Sequence, residues 1–253
     1  EEQYVSTGVA KKADLIAGCH CMEPAFLLNQ IERSRKNLGL ETIDLFYLHN
    51  PETQLEELPP RIFYEKLEIA FETLERAVLD GKIASYGLAT WNAFRDEPTA
   101  QTYVAIEKTV EIAERAAKKV SGAKSSFKAI QLPFNLAMPE AGLLQNQPVR
   151  DRTFSAIEAA KTLGLSVAVS VPLFQSQLCH GMPDFIVDQF PDDLSQSQCA
   201  LAFSTGFLGV DAAMVGMKDP EHVKHNLECL KKPMLNEEEI FAVIESLGEH
   251  SSH

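Results

Sequence analysis

Apolar residues recur along this chain in two alternating periods. Between residues 24 and 38, Leu27, Leu28, Ile31, Ser34 and Leu38 follow an approximate helical stripe. Pro24 suits a first turn, Arg33, Arg35 and Lys36 load the C-terminal half, and Gly39 stands where a helix-ending glycine belongs. At once the pattern changes: residues 43–48, Ile-Asp-Leu-Phe-Tyr-Leu, are almost continuously apolar and rich in β-formers, which predicts a buried strand. The run ends in His49-Asn50 and then Pro51, which cannot continue a hydrogen-bonded ladder.

The helix-then-strand unit repeats. Residues 63–79 predict a helix with Leu67, Ala70, Phe71, Leu74 and Val78 on one face, followed by Asp80-Gly81-Lys82 and a strand over 83–90. The same reading gives a helix at 101–120 and a strand at 129–134, then a helix at 153–163 and a strand at 166–173. A helix at 195–204 precedes a fifth strand at 212–217, and helices at 219–230 and 236–247 close the chain, each opened by Asp or Asn. Buried strands each reached through a helix imply parallel βα units with right-handed crossovers. Their starts lie roughly 40 residues apart, the spacing of a decorated barrel. Residues 1–22 have no clear period and read as an irregular segment. Two polar stretches, 50–61 and 135–152, follow strands and are where an α/β domain builds sites.

Composition narrows the functions. A formal net charge of −13 argues against a nucleic-acid binder or a membrane-surface protein, both of which want a basic face. No apolar run reaches membrane-spanning length. The first residues, Glu-Glu-Gln-Tyr, do not read as a signal peptide. Five cysteines, an odd number without framework spacing, suggest a reducing compartment, and the cytoplasm is the expected location. Cys19-His20-Cys21 lacks a partner pair at metal-finger spacing, so no metal site is expected there.

Candidate chemistry sits at His49, an imidazole at the carboxyl end of a buried parallel strand; the alternative is a hydrogen-bonded structural histidine. Gln131 is polar inside an apolar strand and needs a partner. A generic barrel hydrolase or isomerase would want paired acids at strand ends, but Asp44 and Asp211 precede or begin their strands.

Three stretches together resemble the aldo-keto reductase family. Residues 28–51, ending Leu-Gly-Leu-Glu-Thr-Ile-Asp-Leu-Phe-Tyr-Leu-His-Asn-Pro, are similar to its "LG-x-x-x-IDL-x-x-x-H-x-P" signature. Residues 71–90, FETLERAVLDGKIASYGLAT, resemble its "GKI-x-x-x-GVS" stretch, and residues 213–227, AMVGMKDPEHVKHNL, its C-terminal cofactor segment. The resemblance spans about 23–247 in unbroken order and implies an α/β fold of the TIM (β/α)8-barrel family, with about five βα units present, 23–253 forming the barrel portion.

For function, the resemblance implies reduction of a small-molecule aldehyde or ketone with NADP(H), NAD(H) not being excluded. By the same resemblance His49 helps position the carbonyl and stabilise its developing oxyanion. The nicotinamide carboxamide falls to Trp91, Asn92 and Gln131, with Trp91 replacing a small polar residue. Ser170, Pro172, Leu173 and Gln175 lie in a pyrophosphate-cradling loop in which Ser176 replaces Gly. Ser170 also stands near the position of the family's nicotinamide-stacking aromatic. In the last segment Gly216 is the motif glycine, Lys218 and His222 take the 2′-phosphate and adenine ribose, and Asn226 reads adenine. The family's Asp, its general-acid Tyr and its Lys lie on three earlier βα units that this chain does not match; Gly8 follows Thr7 where a Lys would be. An inactive nicotinamide-nucleotide-binding or interaction module derived from the fold is therefore a second expectation. Neither the particular carbonyl compound nor the oligomeric state is legible.

Overall fold

The computed structural model describes residues 2–232 and 235–250. Five parallel strands form its main sheet in the order β1-β2-β3-β6-β7: β1 Ile43–His49, β2 Ile83–Ala89, β3 Phe127–Pro133, β6 Ser166–Ser170 and β7 Ala212–Ala213. A separate antiparallel hairpin joins β4 Gln147–Val149 to β5 Arg152–Phe154. Among the described residues β1 and β7 pair only on one side, so the sheet has two edges. This parallel α/β arrangement fits a TIM-barrel-like fold.

Each crossover carries a helix: α3 Pro60–Leu79 between β1 and β2, α4 Ile106–Val120 between β2 and β3, α6 Ala156–Thr162 before β6, and α8 Gln196–Gly206 before β7. Ahead of β1 stands α2 Pro24–Leu38, and α1 Glu2–Ser6 begins the described chain. Short helices α5 Glu140–Leu143 and α7 Asp184–Val187 lie in loops, and α9 Pro220–Cys229 and α10 Glu237–His250 follow β7. Neighbouring strands follow chain order, so right-handed crossovers place the helices on one face of the sheet. That face carries Leu48, Leu88, Ile130, Leu132, Val167 and Val169, all in the core.

At the amino-terminal end of the strands a buried acid ties the layers together. Glu75 of α3 accepts from the Tyr86 hydroxyl (2.9 Å), the Ser126 amide (2.8 Å) and the Ser125 hydroxyl (3.2 Å) through Oε1. Its Oε2 takes the Ser126 hydroxyl at 3.1 Å. A carboxylate this buried is tolerated because both oxygens are bonded.

Several expected boundaries move. The helix expected at 101–120 starts at Ile106, because Val104 N–H first bonds the Ala93 carbonyl (2.9 Å) and closes a loop. The helix expected from 153 starts at Ala156: Arg152–Phe154 pair with β4, and Ser155 caps the helix in a reciprocal box with Glu158. The strand expected over 212–217 is a strand only at Ala212–Ala213, and that expected to 173 ends at Ser170, where the backbone turns left-handed at Val171. No helix among the described residues is long and apolar enough to cross a membrane.

Candidate functional site

Registered pairs in a parallel sheet point to the same side. His49 pairs with Ala89, Ala89 with Gln131, Gln131 with Ala168, and Ala168 with Ala212. One row across the carboxyl ends therefore reads His-Ala-Gln-Ala-Ala, on the face away from the helices. The next row towards the amino ends is Tyr47-Gly87-Ala129-Ser166. Small side chains make this floor, and the longer His49, Tyr47 and Gln131 stand above it. Gly87 is required: a Cβ there would lie 2.8 Å from the Tyr47 ring and closer still to the Ala129 carbonyl oxygen. The Tyr47 ring thus packs across the sheet on its neighbour's bare backbone, and burial pushes its hydroxyl pKa up.

His49 is exposed, on a groove of about 350 Å³ that it shares with His20, Gln30, Phe46 and Tyr47. Its backbone is clamped. The His20 Nε2 lies 2.8 Å from the His49 carbonyl oxygen, and Gln54 Nε2 lies 2.9 Å from His20 Nδ1. An amide nitrogen only donates, so Nδ1 is the acceptor and Nε2 carries the proton. Burial lowers the His20 pKa, in keeping with that neutral ring. His20 is thereby a structural clamp.

Beyond His49 the chain turns left-handed at Asn50 (φ 45°) and enters a single short 3-10 stretch, Pro51–Glu56. That turn drives Glu52 inward to 4% exposure. Its Oε1 accepts the Trp91 amide at 2.7 Å and the Asn92 amide at 3.1 Å, while Oε2 is buried with no partner among the described residues. Burial raises the Glu52 pKa, and the backbone N–H groups pull it back down. Glu52 therefore ties the loop after β1 to the loop after β2.

Arg95 holds the same loop from the other side. Its Nε donates to the Trp91 carbonyl (2.8 Å), Nη2 to Asn92 Oδ1 (3.1 Å), and Nη1 to Glu140 Oε2 (3.3 Å) at the start of α5. Only 13% of the Arg95 side chain is exposed. Asn92 is half-buried in the loop after β2, the strand that lies between those carrying His49 and Gln131. The Trp91 indole is 41% exposed, and it is the Trp91 backbone that the network uses. The half-buried Gln131 amide has no hydrogen-bond partner among the described residues and is left free above the alanine floor.

Ser170 registers with Pro133 on the same face as Gln131, one strand further on. After it Pro172 is buried, Leu173 packs on the core and Gln175 is exposed. Val171, Phe174, Gln175 and Ser176 all have positive φ, at 49°, 45°, 53° and 70°. Such backbone costs about 1–2 kcal/mol per non-glycine residue. The buried Asn135 secures the turn by donating from Nδ2 to the Val171 carbonyl at 2.8 Å.

At the far edge, Met214 N–H bonds the Val169 carbonyl (2.8 Å), so the chain leaving β7 runs beside the 170–176 turn. Gly216, Lys218 and His222 are exposed around the start of α9, which Asp219 caps by accepting the Glu221 amide at 2.9 Å. Asn226 is half-buried in a cleft of about 100 Å³ with Met217 and Leu227. His225 anchors α9 instead, its Nε2 lying 2.9 Å from the Ser195 hydroxyl and its carbonyl accepting from Gln198. Four strand spacings separate β1 from β7, about 19 Å along the line from His49 to this corner.

The structure thus groups His49, Asn92, Gln131 and Ser170 at one end of the sheet and sets Lys218, His222 and Asn226 beyond its far edge. Glu52, His20, Arg95 and Asn135 were missed by sequence reasoning. A larger cleft of about 520 Å³, between the loops after β1 and β2 and reaching Tyr64, holds none of the expected site residues.

A family model described as the aldo/keto reductase family matches residues 6–145. No curated protein matches the chain at a significant level. Among solved structures, the thermostable aldo-keto reductase Tm1743, in complex with the inhibitor epalrestat, superposes with a TM-score of 0.60 at 18% identity; the match covers 89% of this chain and 67% of that one. The holo form of aldo-keto reductase AKR11C1 from Bacillus halodurans gives 0.61 at 16% identity, over 97% and 76%. At these identities the structural likeness speaks for the fold.

Proposed function

The chain belongs to the aldo/keto reductase family, and from that premise we propose an NADP(H)-dependent oxidoreductase that reduces an aldehyde or ketone. Its five βα units form part of a TIM barrel, 23–253 being the barrel portion and 1–22 the segment that leads into it. The observation that carries the reading is the register row: His49 and the unpartnered Gln131 amide share one face over a floor of alanines, with Asn92 in the loop that follows the strand between them.

An extended dinucleotide suits these residues. Gln131 and Asn92 can offer complementary donors and acceptors to a carboxamide. The turn after Ser170 is the pyrophosphate position, with Pro172, Leu173 and Gln175 along it. Gly216, Lys218 and His222 lie around the exposed N-terminus of α9, where a phosphate gains from both side-chain charge and backbone N–H groups. Asn226 is the adenine position. Lys218 favours NADP(H) over NAD(H). The bound cofactor supplies the hydride. This chain's part would be to hold the carboxamide with Asn92 and Gln131 and to offer the His49 imidazole to the carbonyl oxygen, where negative charge develops. Clamping by His20 keeps that imidazole's backbone still.

The second reading, a nucleotide-binding or interaction module without turnover, draws on Tyr47. It is the tyrosine sharing the His49 face, yet its ring packs on Gly87 and burial raises its pKa, opposite to what a proton donor needs. NADPH titration followed by Trp91 quenching, then aldehyde reduction followed by NADPH absorbance, decides between them. Saturable quenching weakened by Asn92→Ala and Lys218→Ala, together with turnover lost in His49→Ala, supports the reductase. Binding without turnover supports a nucleotide-binding module, and absence of binding overturns both nucleotide readings and leaves only an interaction module.

A further inference from the structure

Arg95 has no counterpart in the motifs that carry the family resemblance, yet it is the most heavily used side chain beside the proposed nicotinamide position. Its guanidinium touches three groups on two loops: the Trp91 carbonyl, Asn92 Oδ1 and Glu140 Oε2. The contact with Asn92 is informative because guanidinium nitrogens only donate. Whatever faces Nη2 at 3.1 Å must accept, so the Asn92 oxygen turns towards Arg95 and its Nδ2 turns away. Glu52 completes the constraint by accepting the Trp91 and Asn92 backbone amides on one oxygen. The Asn92 backbone is therefore fixed from one side and its side chain from the other.

We propose that Arg95, anchored by Glu140, is a positioning residue that orients the Asn92 amide so that it presents only a donor to the site, selecting a ring substituent that offers an acceptor oxygen. This inference rests on the nicotinamide-nucleotide reading and adds to it the polarity of one contact and the residue that sets it. Arg95 needs no contact with the ligand. A lysine in its place would keep the charge but lose the fork that reaches Trp91, Asn92 and Glu140 together.

The test uses the full chain and two probes, NADPH and 2′-phospho-ADP-ribose, which lacks the nicotinamide. Arg95→Met is expected to weaken NADPH about tenfold, the scale of one well-placed hydrogen bond. It should leave 2′-phospho-ADP-ribose within about twofold, and cost less than about twofold when added to Asn92→Ala, since it acts through that amide. Equal losses for both probes would make Arg95 a general structural residue and overturn the proposal; so would unchanged NADPH affinity, or additive losses in the double variant. If Arg95→Met does not fold by circular dichroism, Glu140→Gln takes its place, with a loss of about threefold confined to NADPH; no NADPH-selective loss there overturns it equally. A wild-type chain that binds neither probe overturns the nucleotide reading itself. One that binds both while the variants show no selectivity overturns only the role of Arg95.

Discussion

Replacing Glu52 isolates the strut on which the proposed site depends. In Glu52→Ala the Trp91 and Asn92 amides lose their shared acceptor. Bonds to a charged acceptor contribute about 1.5–3 kcal/mol each, so the gross loss is about 3–6 kcal/mol. Against that, the wild type buries a carboxylate whose Oε2 has no partner, and removing it returns about 1–3 kcal/mol. The net expectation is a destabilisation of about 2–3 kcal/mol. Glu52→Gln keeps an acceptor oxygen and sheds the charge, so it should cost under about 1 kcal/mol. Urea unfolding read at the single tryptophan, Trp91, with far-UV circular dichroism in parallel, measures both changes and tests whether the loop opens before the sheet.

The pH dependence gives a sign. Burial raises the Glu52 pKa in the folded chain. Between the unfolded carboxyl value, about 4.3, and the raised folded value, the folded state holds a proton that the unfolded state has lost. Stability from this group is thus present at low pH and declines as pH rises through that window. Wild type relative to Glu52→Gln should follow that decline and then level off. Equal, sub-0.5 kcal/mol costs for both variants, about the noise of surface substitutions, with no pH difference between them, would refute the strut.

Other perturbations separate fold from site. Gly87→Ala puts a Cβ 2.8 Å from the Tyr47 ring and nearer still to the rigid Ala129 carbonyl, so it should cost about 1–3 kcal/mol in urea and displace Tyr47. Glu75→Ala removes the acceptor of the buried Tyr86 hydroxyl and should cost about 3 kcal/mol while leaving NADPH affinity unchanged in whatever fraction folds. Ser176→Gly relieves a φ of 70° and should stabilise by up to about 1 kcal/mol, seen as a raised urea midpoint. For His20 the folded pKa is lowered, so stability is present above the unfolded value near 6.5 and is lost as pH falls through the lowered folded value; His20→Gln should flatten that slope in urea titrations run downward from about pH 6.5.

Order and type of the βα units were legible because a buried parallel strand has a short local signal, an apolar run, and each helix carries its own stripe. The strand from Ile43 and the helix from Pro24 lie where their apolar runs and stop signals place them. Errors fall where a contact distant in sequence overrides local propensity. Residues 101–105 are helix-compatible, but Val104 bonds Ala93 and the Tyr103 hydroxyl bonds the Asn146 carbonyl, so the loop takes them. The hairpin Gln147–Phe154 is invisible to period-counting because each strand is too short to show alternation. Ser155, by contrast, had a readable signal: Ser-x-x-Glu is a capping box, and it places the α6 start correctly.

Site residues divide the same way. His49 and Gln131 announce themselves by being polar at or inside an apolar strand, and register alone brings them onto one face. Glu52 and Arg95 are charged residues in loops, and charged loop residues are ordinarily solvated. Glu52's own identity gives no sign that its carboxylate is aimed at amides about forty positions away. The turn that aims it begins at Asn50, with φ 45°, and asparagine is the non-glycine residue that enters that region at least cost. Asn50 is therefore where sequence and site meet: forced out of the left-handed region by a β-branched residue, the chain would carry Glu52 outward and release Trp91 and Asn92. Asn50→Val should reproduce the Glu52→Ala loss at Trp91, whereas Asn50→Gly should not. Equal behaviour of the two variants would show that the turn does not set the strut.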